Sequence, residues 1–265
     1  MLDRVRSTPR DDDPDPNGHD PSTEPPSQAG PGNPGKKRSF WRELPVVILT
    51  ALVLSFLLQT FVARVYLIPS ESMEPTLHGC TGCTGDRIVV DKLVYRFSDP
   101  RPGDVVVFKG PPSWDERYVS NRSANPVLRT GENFLSSFGL APPDENDLVK
   151  RVIATGGQTV QCRNSEGGVT VDGHRLVEPY LDNPEMRAAA ATNPCLGREF
   201  GPTVVPAGAV WVMGDNRTHS ADSRYHQDDQ YSGAVPVDNI IGKVRAIILP
   251  PGRWGVVSSP DIQPE

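Results

Sequence analysis

The apolar positions divide the chain into three regimes. Residues 1–35 are mostly Pro, Gly, Asp and Ser, with almost no branched or aromatic side chain to bury. Ordering them would cost conformational entropy without compensating burial. A disordered tail is therefore expected over residues 1–43, with Lys36, Lys37 and Arg38 near its end. Residues 44–63 then read LPVVILTALVLSFLLQTFVA without a charge, roughly the 20 residues a helix needs to cross hydrocarbon. The pattern predicts a single transmembrane helix over 44–65. A cleaved secretory signal fits less well, because the preceding polar region is too long and no small-x-small site closes the run. Three basic residues before the span and Arg42 at its start, against Arg64 alone just after it, predict a cytoplasmic N-terminus and an extracytoplasmic remainder.

Beyond the span the apolar runs become short and strand-like: 87–92 (RIVVDK), 104–109 (DVVVFK), 148–154, 169–171, 210–213 and 243–249. Turn sequences at 101–104 (RPGD) and 155–157 (TGG) separate them, and no stretch of helical period competes. The expected fold is mainly β, an antiparallel sheet domain over 66–258. Two weakly patterned stretches, about 110–146 and 164–201, read as insertions, the second containing a short Ala-rich piece.

Composition narrows the function classes. The 28 Pro and 24 Gly against 7% aromatic residues exclude a helical bundle. A formal net charge of -6 argues against nucleic acid as a partner, since a phosphate-binding surface needs clustered Lys and Arg. Cys80, Cys83, Cys162 and Cys195 lack the second CxxC pair or the His ligands of a zinc site and read as disulfides, which requires an oxidising compartment. His78, His174, His219 and His226 are scattered, so no metal is expected.

Three segments concentrate polar residues where an ordinary strand or turn has no need of them. In residues 68–77 (IPSESMEPTL), Pro69 and Pro75 fix φ on either side of Ser72 just beyond the membrane span. A hydroxyl held there is a candidate nucleophile, although a serine between prolines is by itself equally a turn residue. In residues 147–154 (DLVKRVIA), strand alternation puts Lys150 on one face with Leu148, Val152 and Ala154, and Arg151 on the other. Apolar surroundings disfavour the ammonium and make Lys150 a possible general base, a role closed to arginine; the alternative is a lysine whose stem packs while its head reaches water. In residues 214–224 (GDNRTHSADSR), Ser220 is placed to steady a neutral lysine amine and Asp222 to pair with Arg224, or the loop is simply a solvated turn.

In order and spacing, PSESMEPTL at 69–77, GDRIVVDK at 85–92, KRVIATGG at 150–157 and GDNRTHSADSR at 214–224 resemble the bacterial signal peptidase I family. The resemblance implies a membrane-anchored serine endopeptidase with an antiparallel β catalytic domain and no cofactor. It would cut exported preproteins after small-x-small (Ala-x-Ala) sites. By the same resemblance Ser72 is the nucleophile, Lys150 the base and Ser70 the oxyanion-hole hydroxyl. Ser220, Asp222, Arg224 and Arg151 are supporting residues, and Ile68, Met73, Leu77 and Val149 line the pockets for small side chains. It also suggests that Cys162 pairs with Cys195 across the second insertion, while Cys80 and Cys83 are placed to close a small ring of their own. The family's usual Lys-Arg-x-x-Gly-x-Pro-Gly-Asp departs here to Ala154, Thr155, Gly157 and Gln158, which leaves the turn after the lysine strand open. Rival readings are a self-cleaving regulator, which would need a DNA-binding domain and no span, and a tethered β module that binds an envelope component.

Overall fold

The computed structural model describes residues 40–80, 82–114, 123, 125–137 and 147–263. The expected disordered tail lies almost wholly outside the described residues, as does much of the first insertion. Helix α1 (Phe40–Phe61) covers the predicted span as far as Phe61. Between residues 43 and 61 none of its side chains is buried against the rest of the protein. An apolar helix of this length, left uncovered all round, is long and apolar enough to cross a membrane. The span is shorter than expected, because strand β1 (Ala63–Leu67) already begins within 44–65.

Strands β2 (Arg87–Asp91), β3 (Val105–Lys109) and β4 (Asp147–Thr155) follow, then β5 (Thr159–Arg163), β6 (Gly168–Val171), β7 (His174–Arg175) and β8 (Phe200–Val204). The last four are β9 (Ala209–Met213), β10 (Val235–Pro236), β11 (Ile240–Leu249) and β12 (Gly255–Val256). Every pairing is antiparallel. The main sheet runs β1-β2-β11-β3-β4-β9-β10, with β12 added to β11; a smaller sheet runs β7-β6-β5-β8. Six strands had been expected, and the others are too short or too polar to stand out as apolar runs. Two helices, α2 (Pro126–Ser137) and α3 (Pro184–Thr192), occupy the insertions, where no helical period had been read. Local chemistry explains α3: Asn183 caps it by accepting from the Met186 N–H, Pro184 opens its first turn, and the alanines behind them favour helix.

Strand β4 is the hinge of the core. Buried from Lys150 to Ala154, it contributes to clusters on both faces of the main sheet. Strict alternation fails near its end, because the β4–β9 register shifts between Val152 and Ala154. Val152 packs with Val106, Phe108 and Val212, whereas Ala154 joins Ile153 and Trp211 in the core shared with the smaller sheet. Ala154 therefore does not share the face of Val152 as alternation predicted. The packed domain also runs past residue 258: Ile262 is fully buried, and the Gln263 side chain donates to the Ile153 carbonyl.

Two disulfides are present, Cys80–Cys83 and Cys162–Cys195, the pairing expected. The second is buried and closes a separation of 33 residues, for which loop-closure entropy implies about 3–4 kcal/mol of stabilisation. Cys195→Ser is expected to lower denaturant-unfolding stability by that order; an unchanged midpoint would show that the loop is held by its packing alone.

Candidate active site

Three chain segments converge at Lys150. The first is the turn of 3-10 helix Glu71–Met73, which carries Ser72. Its backbone is tied to the loop after β9, since the Asn216 N–H donates to the Ser72 carbonyl (3.1 Å) and the Asn216 side-chain amide donates to the Glu71 carbonyl (3.1 Å). The second is β4, whose residue Arg151 pairs with Met213 at the end of β9, so the loop 214–224 leaves the sheet beside Lys150. Gly214 has to be glycine for this approach: a Cβ there would lie 2.4 Å from the Ser72 carbonyl oxygen and 2.3 Å from Ser220 Oγ.

Lys150 Nζ lies 2.8 Å from Ser72 Oγ and 3.0 Å from the Val149 carbonyl oxygen. Only 4% of the lysine is exposed, while Ser72 is half-buried. Burial pushes the Lys150 pKa down from 10.5 to about 8, with Arg224 assisting; the negative charges of Asp222 and Asp215 oppose the shift without cancelling it. Near neutral pH a useful fraction of the amine is thus free of its proton. In that form it can accept from the Ser72 hydroxyl along the same line. Ser70 is exposed, its Oγ 3.4 Å from Ser72 Oγ.

Behind the lysine stand two buried ion pairs. Asp222 receives Arg224 Nε and Nη2, both at 2.8 Å, and the Gly214 N–H at 3.0 Å. Burial alone would raise the Asp222 pKa, but the Arg224 charge and these hydrogen bonds outweigh it and hold the carboxylate below its usual range. This is the ion pair the sequence predicted. Ser220 is buried nearby, where its hydroxyl helps to lower the Asp222 pKa; the hydrogen bonds of the Lys150 amine go to Ser72 and the Val149 carbonyl instead. The expectation that Ser220 steadies the lysine amine by a direct contact is not met in this conformation.

Arg151 points to the opposite side of β4 from Lys150, as alternation requires. It forms a two-pronged pair with Asp215 at 2.9 and 2.7 Å, donates to the carbonyls of Gly103 and Ser258, and lies 4.0 Å over the Tyr180 ring. Asp215 also accepts from Thr76 Oγ1, so one carboxylate locks the Ser72 segment, β4 and the loop after β9 together. Sequence reasoning missed Asp215, and Asn216 with it, although both lie inside the quoted GDNRTHSADSR. The available signal was charge balance: an arginine on the inner face of a central strand needs a buried acid. Arg217, buried and paired with Glu178, extends the network toward the smaller sheet.

The residues expected to line substrate pockets do come together. Ile68, Met73 and Leu77 are buried in one cluster, with Val149 partly exposed at its edge. They form a floor closed by their own packing, so Val149 alone offers accessible surface. A cavity of about 470 Å³ lies elsewhere, between the smaller sheet and α3, lined by Leu176, Glu178, Met186, Arg187, Leu196 and Arg217 among others.

A serine hydroxyl on a stiffened turn touches a buried lysine on an interior strand of an antiparallel sheet, behind an exposed apolar N-terminal helix, so the fold and site define a β-sheet protein with a candidate serine-lysine centre. Comparison with known proteins gives the particular family. The family model described as "Signal peptidase, peptidase S26" matches residues 41–249, and the chain belongs to that family. It is 63% identical over 228 residues to a signal peptidase I of Mycobacterium tuberculosis (strain CDC 1551 / Oshkosh), covering 84% of this chain and 77% of the relative. A probable signal peptidase I of Mycobacterium leprae (strain TN) is 58% identical over 246 residues, 88% of this chain and 84% of the relative. Signal peptidase I T of Bacillus subtilis (strain 168) is 29% identical over 215 residues, covering 81% and 89%. A solved signal peptidase I from Enterococcus faecalis V583 overlaps 55% of this chain and 97% of its own at 23% identity and a TM-score of 0.35. That likeness is too loose to carry the fold, which rests on the strand pairing described above.

Proposed function

We propose that this protein removes signal peptides from exported precursors by serine-lysine acyl transfer, cutting after small-x-small sites on the outer side of the membrane. The observation that carries the reading is the 2.8 Å contact between Ser72 Oγ and the buried Lys150 amine. The names of the relatives supply the substrate class, a preprotein bearing a signal peptide. The charge asymmetry about α1 supports an extracytoplasmic catalytic domain, and the short stretch between α1 and Ser72 supports a site near the lipid surface, where the scissile bond of a precursor emerges from its own apolar segment.

In the reaction, Ser72 Oγ attacks the carbonyl carbon while its proton passes to Lys150 Nζ. The resulting oxyanion is stabilised by the Ser72 N–H and by the Ser70 hydroxyl, whose Oγ lies 3.4 Å from Ser72 Oγ. Lys150 then gives the proton to the departing amine, the C–N bond breaks, and the signal peptide remains as an ester on Ser72. Water, deprotonated by Lys150, adds to the ester carbonyl and restores the serine. Asp222, Arg224, Arg151 and Asp215 hold the lysine strand and its loop in register; none moves a proton. Val149, above Ile68, Met73 and Leu77, supplies the apolar wall for the small side chains. Ser220, buried beside Asp222, acts as a positioning residue through that carboxylate. The chemistry uses side chains and water alone, so a metal chelator is expected to leave the rate unchanged.

The test is cleavage of a preprotein with an Ala-x-Ala site by the detergent-solubilised full chain, with the cut located by mass spectrometry. Cleavage after the second alanine supports the reading; an intact substrate under conditions where the protein is folded overturns it and returns the fold to a tethered binding module. The pH dependence gives a second check. kcat/KM is expected to rise with pH through about 8 as Lys150 loses its proton, and Lys150→Arg, which cannot deprotonate, is expected to show no such limb at any pH.

A further inference from the structure

The loop between the Ser72 turn and β2 brings together His78, Cys80 and Cys83, whose ligand-type atoms all lie within 4.8 Å of one another. No other such trio occurs among the described residues. From the sequence the histidines are scattered and the neighbours of the cysteines supply no zinc-type His ligands; the fold brings His78 to Cys80 and Cys83. His78 Nδ1 is held by the Glu74 carboxylate, which can only accept. The ring proton is thereby fixed on Nδ1, and the lone pair of Nε2 faces Cys83 Sγ at 3.7 Å. A carboxylate behind a histidine whose other nitrogen faces a sulfur is the arrangement that orients metal-binding imidazoles. The 3.7 Å separation also matches two ligands of one tetrahedral zinc, which lie about 3.5–3.8 Å apart for bonds of about 2.1 and 2.3 Å.

We propose that His78, Cys80 and Cys83 bind one thiophilic divalent cation of the Zn²⁺ class when the Cys80–Cys83 disulfide is reduced, with Glu74 orienting His78. The disulfide lies at the surface, Cys83 exposed and Cys80 half-buried, and is open to a dithiol reductant. Reduction breaks the S–S bond, with two electrons from the dithiol and two protons giving two thiols; the reductant leaves as its own disulfide. Cation binding then displaces both thiol protons. Three protein ligands leave the fourth position to water. The Asp86 N–H donates to the His78 carbonyl and the His78 N–H to the Asp86 carboxylate, which ties His78 to the residue just before β2.

The experiment uses the full chain in detergent, reduced with a dithiol and freed of it without oxygen, then titrated with Co²⁺. Alkylation and peptide mapping are expected to find Cys80 and Cys83 as thiols, while the buried Cys162–Cys195 pair stays closed. One equivalent of Co²⁺ is expected to give a thiolate-to-cobalt charge-transfer band that Zn²⁺ bleaches, with no band in oxidised protein. Cys83→Ser, a near-isosteric change at an exposed position, is expected to abolish the band, and Glu74→Gln to weaken binding about 10–100-fold. Equal unfolding midpoints of the variants and the wild type separate ligand loss from misfolding. A reduced wild type with no more cobalt band than Cys83→Ser, an affinity unmoved by His78→Ala, or a Cys80–Cys83 bond that the dithiol leaves closed, would each overturn the site.

Discussion

Lys150→Met is expected to yield a protein that cleaves no faster than background and yet unfolds at a higher temperature than the wild type. The loss of activity follows from the proposed role. Removing nucleophile or base from a unit that acts together costs about 10⁴-fold or more in kcat, and Ser72→Ala with Lys150→Met is expected to cost little more than either alone. The gain in stability follows from the lowered pKa. Below pH 8 the lysine is protonated in both folded and unfolded chains, so the folded state carries the full cost of burying an ammonium. Between about 8 and 10.5 the unfolded chain binds more protons than the folded one, and stability rises with pH. At pH 7 the methionine removes that burden, a gain of about 1–3 kcal/mol that shrinks as the pH approaches 10.5. Thermal unfolding of both proteins at pH 7 and at pH 9.5 measures it. A variant that is less stable at pH 7 would show that the amine is comfortably paired, and the base assignment would lose its physical ground.

Asp215→Ala is the second large effect. Arg151 and Asp215 are both fully buried, and removing the acid leaves an arginine in the core with only two carbonyls and the Tyr180 ring to face. Breaking such a pair costs about 3–5 kcal/mol, or about 6–20 °C in Tm for a domain of this size. Arg245→Ala provides the contrast, because its pair with Asp91 is substantially exposed and is expected to be worth about 0–1 kcal/mol. Equal shifts in the two variants would contradict the burial argument. Asp215→Asn carries a kinetic signature as well. The Asp215 charge helps keep the proton on Lys150, so its removal is expected to move the rising limb of kcat/KM to lower pH. A purely structural loss would lower the plateau and leave the limb in place.

Several features of this protein are properties of short stretches of chain. The apolar run is long enough for a helix able to cross hydrocarbon, because a helix pairs its backbone groups along its own length; the helix it forms ends at Phe61. The runs that became β2, β3, β9 and β11 carry their own period and turn signals. Ser72, Lys150, and the Asp222 and Arg224 pair stood out because polar groups were crowded into segments that had no local need of them, and the motif resemblance ordered those segments into one family. What depends on parts of the chain far apart in sequence was not legible in this way. The two-residue strands exist only because a neighbour supplies their hydrogen bonds, and the shift that sends Ala154 into a different core from Val152 arises from its pairing with β9. Asp215 became visible as the lock of the site only when Arg151, Thr76 and Ser72 were seen to meet there. Ser220 was expected from its motif to steady the lysine, yet its hydroxyl bears on Asp222, since the direction of a side chain is set by packing across the whole site. The depressed lysine pKa belongs to the same class: the sequence supplied the amine and its neighbours along one strand, and only the fold removed the water.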